Sequence, residues 1–159
     1  MVVGGGITAS DVTWHPLVTW QQTFSESSTS GDSETVIHEL LFSGVTFNEY
    51  KKYRLICAVN GTVYGGYSPG FYLKVNDGSS DTKTLKTIVS SNVTWTGDVI
   101  YTYSFEKVGS MLVGHSNESF IRQIRLNASS SGKLLLTRKK IKLTDVTLTL
   151  SLEGSNYAT

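Results

Sequence analysis

The residues best suited to chemistry are few and scattered. Three histidines, His15, His38 and His115, lie far apart, and the chain contains neither an H-x-x-x-H nor a C-x-x-C spacing, so neighbouring residues assemble no zinc-type ligand set. His38 adjoins Glu39, which strand alternation would send to the opposite face. The single cysteine, Cys57, sits in Tyr53-Arg54-Leu55-Ile56-Cys57-Ala58-Val59, on the face shared by Tyr53 and Leu55. A reactive thiol needs a nearby base or helix N-terminus to hold it as thiolate. Its neighbours supply neither, and we expect a small buried hydrophobe. One cysteine forms no internal disulfide, so the fold does not depend on an oxidising compartment. The segment Asn76-Asp77-Gly78-Ser79-Ser80-Asp81 concentrates oxygen ligands in a manner calcium favours, yet its spacing is not that of an EF-hand loop. A plain hairpin turn is the expectation there. With no nucleophile elbow, phosphate-cradling loop or Ser-His-Asp constellation, the expectation is a protein that is not an enzyme, with no catalytic residues, no metal and no cofactor.

The aromatic residues point instead to contact. Tyr64, Tyr67, Phe71 and Tyr72 cluster around Gly61-Thr62-Val63-Tyr64-Gly65-Gly66-Tyr67-Ser68-Pro69-Gly70. Tyrosine on a glycine-rich segment offers rigid, amphipathic contact area at low entropic cost, although such rings also serve to cover an end of a fold. Residues 93–105 place Trp95, Val99, Tyr101, Tyr103 and Phe105 on one side of a strand, a row that reads first as core and second as a subunit contact. Tyr64, Tyr67, Tyr72 and Trp95 are the candidate binding residues.

Charge narrows the partners. Fourteen basic residues stand against thirteen acidic ones, for a net charge of +1, which argues against chain-wide attraction to nucleic acid. The local exception is Arg138, Lys139, Lys140 and Lys142, following Lys133. It reads as a solvated strand end that discourages edge-to-edge pairing, with a small basic patch as the alternative. No run approaches the roughly 18 consecutive apolar residues of a membrane span, and the start lacks the basic and apolar regions of a signal peptide. Asn-x-Ser/Thr triplets at Asn60, Asn92, Asn117 and Asn127 matter only in a secretory pathway. The expectation is a chain made in a cytoplasm, with no membrane insertion.

The elements that must carry these side chains read as strands. Val, Ile, Thr, Tyr, Phe and Trp dominate the ordered-looking stretches, with fifteen glycines and only two prolines. Apolar residues nowhere keep a helical period. Residues 1–12 form a glycine-rich lead, expected to be a flexible arm in which Gly4, Gly5 and Gly6, with Trp14 just beyond, are the candidate tether. Residues 13–159 are expected to form one domain. Pro16 interrupts the segment between Trp14 and Trp20, which suits an edge strand, and the polar residues 25–33 suit an exposed loop. Alternating segments follow at 35–42, 53–60, 71–76, 84–89, 93–105, 110–115, 119–127, 134–137 and 141–152. Asn60-Gly61 and Asp77-Gly78 read as hairpin turns, because a type I′ turn needs positive φ at both central positions. Gly65-Gly66, Ser68-Pro69-Gly70, Gly109 and Ser130-Ser131-Gly132 punctuate the rest. In the last segment Ile141, Leu143, Val146, Leu148, Leu150 and Leu152 share a face, with a slip at Asp145 that a β-bulge explains. The expected fold is all-β: an antiparallel β-sandwich, jelly-roll-like, of eight or nine short strands.

The glycine-rich start, the Ser/Thr-rich body, and Phe42-Ser43-Gly44-Val45-Thr46-Phe47 leading into Asn48-Glu49-Tyr50-Lys51-Lys52-Tyr53-Arg54-Leu55-Ile56 resemble the small β-sandwich structural proteins of tailed bacteriophages, of tail, fibre or head-decoration type. The resemblance implies a virion component, homotrimeric or otherwise multimeric, whose partners are other virion proteins and copies of itself. It implies a tail or fibre protein serving host attachment, with capsid decoration as the alternative. The arm would be a tether ordered by its partner's groove. A free carbohydrate-binding module taking host-surface glycan is the competing reading, with Trp95, or Tyr64 and Tyr67, as its aromatic platform. An enzyme acting on cell-wall polysaccharide is the third.

Overall fold

The computed structural model describes residues 13–79, 81–115 and 123–156. Every regular element among them is a strand: β1 (His15–Ser25), β2 (Thr35–Leu41), β3 (Lys52–Asn76), β4 (Thr82–Val89), β5 (Thr94–Val108), β6 (Met111–His115), β7 (Gln123–Asn127) and β8 (Lys133–Ser155). All eight belong to one antiparallel sheet that does not close on itself. Its spine is the pair β3–β8. β1 and β2 line the far edge of β8, while β5 and β4 line the far edge of β3, with β6 and β7 continuing from β5. Pro16 falls at the start of β1, a strand that pairs with β8 alone among the described residues.

Two strands are far from short, β3 with 25 residues and β8 with 23. The reason is that several turn signals are bulges inside continuous strands. At Asn60-Gly61 the chain runs on, opposite Asp98 and Gly97 of β5, while its register against β8 slips between Asn60 and Thr62. Gly61 takes φ 136° and Asp145, on β8 beside that slip, φ 50°, so the positive φ that Asn-Gly favours serves a bulge rather than a hairpin. A second, larger slip lies between Gly65 and Gly70, where β3 is paired with Ile141 on one side of the slip and Lys139 on the other. Ser68 (φ 49°) and Lys140 (φ 54°) mark that irregularity. The segments 53–60 and 71–76, and likewise 134–137 and 141–152, are therefore arms of single strands. Asp77-Gly78 does lie at the connection between β3 and β4.

The first arm of β3 pairs with β5 and with the later part of β8, which carries β1. The second arm pairs with β4 and with the earlier part of β8, which carries β2. Side chains join the two parts. Trp20 of β1 stacks on His38 of β2, the Tyr103 hydroxyl donates to the Leu85 carbonyl at 3.1 Å, and the Asn127 N–H donates to Asp77 Oδ2 at 2.8 Å. Alternate residues of both arms belong to one buried cluster: Leu55, Cys57 and Val59 with Leu73 and Val75, and Leu134 and Leu136 with Leu143, Leu148 and Leu150. Burying one such Leu or Val side chain contributes about 1.5–3 kcal/mol, so both arms are held by period-two burial as the alternation requires.

The polar segment is a loop, as expected, with most of residues 25–33 exposed, and its backbone is tethered to β8. Residues 26–34 run along the irregular part of β8, with Glu26 N–H donating to the Leu143 carbonyl at 2.9 Å, Ser30 N–H to that of Ile141 at 2.9 Å, and Lys140 N–H to that of Gly31 at 3.0 Å. This strap serves β8 backbone groups between the end of the β1 ladder at Thr144 and the start of the β2 ladder at Arg138.

Candidate functional site

Two regions gather exposed or cavity-lining aromatic residues. The first is the slip region of β3. Tyr67 is 82% exposed and Tyr64 36%, both within β3 rather than on a free loop. Tyr64 lies opposite Lys142, whose ammonium sits 5.2 Å from the ring centroid. Gly66 packs against Thr29 and Lys140, at a spacing that leaves a Cβ 3.3 Å from the Lys140 carbonyl. The Gly65 N–H donates to the Val93 carbonyl at 2.8 Å. Tyr64 is thus presented by backbone paired on both sides, whereas Tyr67 lies within the slip, between the β8-paired residues Gly65 and Gly70.

The other candidate binding residues lie elsewhere. Trp95 pairs with fully buried Val63 and so shares the inward face, half-buried against the core, while Tyr64, next to Val63, points to the opposite face. Tyr72 belongs to the second arm, where its ring packs over Gly70 and carries Lys74 Nζ at 5.1 Å. Trp14 lies under the Arg54 guanidinium, 4.3 Å from the ring centroid, and Arg54 Nε donates to Glu153 Oε1 at 2.6 Å. Gly4, Gly5 and Gly6, and the whole arm 1–12, lie outside the described residues.

The second region is an aromatic corner built by the connection between β2 and β3. Phe42, Val45 and Phe47 are buried. The turn is closed by Val45 N–H donating to the Phe42 carbonyl at 2.9 Å and anchored by Phe42 N–H donating to that of Gly132 at 3.0 Å. Phe47 takes φ 56°, an uncommon conformation for a bulky residue. Its ring lies 5.0 Å from that of Tyr53 at 55°, and Tyr50 meets Tyr53 at 6.1 Å and 85°. The Tyr53 hydroxyl accepts the Tyr50 N–H at 3.2 Å, and burial pushes its phenol pKa up. Tyr50 lies between the His15 ring, stacked at 5.4 Å, and Gly154, where a Cβ would come within 2.4 Å of the Tyr50 ring. Between these walls is a cavity of about 50 Å³ lined by Leu17, Gly44, Val45, Phe47, Glu49, Tyr50 and Tyr53. Glu49 is the one charged residue in that lining. Sequence reading missed this corner. Its signal was the three-residue spacing of Phe47, Tyr50 and Tyr53, which fits no strand alternation.

The remaining candidates have structural partners. Cys57 is fully buried, and burial pushes its thiol pKa up to about 12. The oxygens of the 76–81 turn serve backbone donors: Asn76 Oδ1 accepts the Gly78 N–H at 2.8 Å and Asp77 Oδ1 that of Ser79 at 3.2 Å. Among the described residues no group of three or more His, Cys, Asp or Glu converges to hold a metal ion, and no helix is long and apolar enough to cross a membrane. The basic run is not a strand end: it lies in the interior of β8, between β3 on one side and the strap 26–34 on the other. Arg138 holds Glu26 through two hydrogen bonds of 2.6 and 2.7 Å. Lys140 pairs with Asp32 at 2.6 Å, and Lys133 with Glu39 at 3.1 Å.

No family model matches the chain, and no curated protein or solved structure matches it.

Proposed function

We propose that the chain is a non-enzymatic structural domain of a tailed-bacteriophage particle, associated with the tail or fibre, that binds neighbouring virion proteins and copies of itself and presents a surface for host attachment. In this reading the bent sheet is a jelly-roll-like sandwich, its layers being the two arms of the β3–β8 spine. The contacts of Trp20 with His38 and of Tyr103 with Leu85 support that arrangement. The observation that carries the binding function is Tyr67, 82% exposed within a central strand. A large ring left in water, between backbone paired with β8 at Gly65 and at Gly70, offers amphipathic contact area that a partner would cover. The resemblance of residues 42–56 to phage structural domains supplies the virion setting, with capsid decoration as the alternative location.

A glycan-binding reading has its own support. The outward face beside Tyr64 carries rows of hydroxyls and amides, among them Thr62 with Thr96 at 3.0 Å, Thr23 with Thr147 at 2.9 Å and Gln21 with Thr149 at 3.1 Å, the polar neighbours a sugar-stacking tyrosine requires.

Immunodetection across a density gradient of particles of the encoding phage tests the assignment. The chain should travel with intact particles, and Tyr67→Ala particles should retain it while adsorbing more weakly to host cells. Recovery of the chain only in the soluble fraction overturns the virion reading. Recovery there, together with polysaccharide binding by the purified chain that Tyr67→Ala abolishes, establishes the glycan module.

A further inference from the structure

We propose that the free edge of β1 binds a second copy of the chain, the two β1 strands pairing antiparallel about a two-fold axis at Gln21. This rests on the reading that copies of the chain bind one another, and it places that contact away from Tyr67. An edge strand offers unpaired N–H and C=O groups to any other strand, and proteins guard such edges with charge, proline, bulges or shortness. Among the described residues β1, β2, β4 and β7 each pair with one neighbour, as does β5 before Ser104. All but one are guarded: β2 by Glu39 and an irregularity between Val36 and His38, β4 by Lys83, Lys86 and two irregularities, β7 by Arg125 and a length of 5 residues, and β5 by Asp98. The exception is β1. Beyond Pro16 and the register shift beside it, Val18 to Phe24 pair with β8 in unbroken register, and Leu17 to Ser25 include no charged residue. Among the described residues no backbone hydrogen bond reaches β1 from any element but β8.

The side chains select the occupant. Keeping the inward faces of two β1 strands together matches odd positions with odd and even with even, and centring on Gln21 pairs the whole unbroken run. Thr19 then lies opposite the copy's Thr23, and Val18 opposite the copy's Phe24. Hydroxyl meets hydroxyl and apolar meets apolar, cross-strand pairs that stabilise a sheet, and no like charges oppose one another. Gln22 shows that the inward layer is open here. It lies opposite fully buried Leu148 yet is itself exposed, and the copy's Trp20 covers it.

A copy is also the occupant that loses least on binding. Its β1 is already extended along its own β8, so pairing orders little new backbone, whereas an unstructured peptide would lose chain entropy. The joined run adds about six to eight backbone hydrogen bonds.

Solution mass and cross-linking of the purified full chain test the edge without any particle. At about 100 μM, well above a micromolar dissociation constant, the mass should be twice 17.4 kDa, falling towards 17.4 kDa on dilution. Directly opposed Cα atoms of an antiparallel pair stand about 4.5–5.5 Å apart, within the span of a disulfide. Gln21→Cys should therefore oxidise to a covalent dimer, with fully buried Cys57 taking no part. Thr149→Cys, opposite Gln21 on β8, would lie about 14 Å from its copy, three strand spacings, and should not cross-link. Gln21→Lys, an exposed change, sets two ammonium groups against each other and should weaken the dimer about three- to ten-fold at low salt, with the native thermal transition retained. Mixing Gln21→Lys chains with Gln21→Glu chains should restore it. A monomer at every concentration overturns the proposal. So does a dimer that Gln21→Cys fails to cross-link, or one that the Lys and Glu variants neither weaken nor restore, although copies would then still bind one another elsewhere. None of these results bears on whether the chain travels with phage particles.

Discussion

The Trp20 indole lies flat on the His38 imidazole, ring centroids 4.1 Å apart and planes 3° from parallel. The two residues belong to β1 and β2, which pair with different parts of β8. Their inward partners, Leu150 opposite Trp20 and Leu136 opposite His38, are fully buried, so the stack ties together the parts of the sheet carried by the two spine arms. Trp20→Ala should lower stability by about 2–4 kcal/mol through lost packing, read as a lower urea midpoint.

The same stack makes stability sensitive to pH. Burial holds the His38 pKa below its ordinary value, with nearby Glu39 only partly offsetting it. The unfolded chain takes up a proton near the usual imidazole pKa, about 6.5, while the folded chain resists it. Stability contributed by neutral His38 is therefore present above that value and falls as pH drops through it, levelling off below the folded pKa. His38→Phe keeps a stacked ring without the titration and should flatten the decline between pH 7.5 and pH 5.5 in urea-unfolding free energies. An unchanged slope would place the titrating group elsewhere.

Glu26 is the anchor of the strap. It receives both Arg138 nitrogens and the Leu143 N–H at 2.9 Å, with side chains only 25% exposed for Glu26 and 18% for Arg138. Burial alone would raise its pKa, but the hydrogen bonds from Arg138 and Leu143 N–H outweigh it and hold the carboxyl below its ordinary value. Glu26→Gln should cost about 1.5–3 kcal/mol at neutral pH. Because a depressed carboxyl stabilises above its unfolded pKa and loses that contribution as pH falls through the folded one, the gap between wild type and Glu26→Gln should close in acid. Parallel urea curves at pH 7 and well below the usual carboxylate range check both the size and the closing.

Cys57 offers a probe of opening. Its thiol, pushed to about 12 by burial, holds almost no thiolate at neutral pH and has no solvent contact. A disulfide reagent should leave the native chain unlabelled at pH 8 and label it only as fast as it unfolds. Rapid labelling without denaturant would show that the first arm of β3 opens locally.

What was legible in the sequence was whatever depends on near neighbours. Alternation alone places Cys57 with Tyr53 and Leu55, and the run from Ile141 to Leu152, with its slip at Asp145, matches the buried residues of β8. What was not legible depends on partners distant in the chain. Asn60-Gly61 demands positive φ, but a type I′ turn and a bulge make the same local demand. Continuous pairing with Asp98 and Thr147 decides between them. Glu26 looks like a solvated loop acid until Arg138 is brought beside it. Phe47, Tyr50 and Tyr53 are close in sequence, yet only the turn conformation at Phe47 makes one corner of them.

The distinction between turn and bulge at Gly61 can be tested directly. With φ at 136°, a Cβ on residue 61 would stand 2.3 Å from the Asp145 carbonyl oxygen and 2.7 Å from Val146 Cα. The backbone has no room to yield, because β3 is paired here with β5 on one side and β8 on the other. Gly61→Ala should therefore cost at least about 3 kcal/mol, the conformational strain being joined by a backbone clash. The facing bulge residue gives the contrast. Asp145→Gly would relieve the strain of φ 50° while losing the 2.6 Å hydrogen bond that the Ser25 hydroxyl donates to Asp145 Oδ1, opposing effects that should leave stability within about 1 kcal/mol of wild type. An exposed hairpin turn at Asn60-Gly61 would lack the Asp145 and Val146 contacts, so a Gly61→Ala chain with its urea midpoint unchanged would refute the continuous β3 strand and with it the two-armed spine.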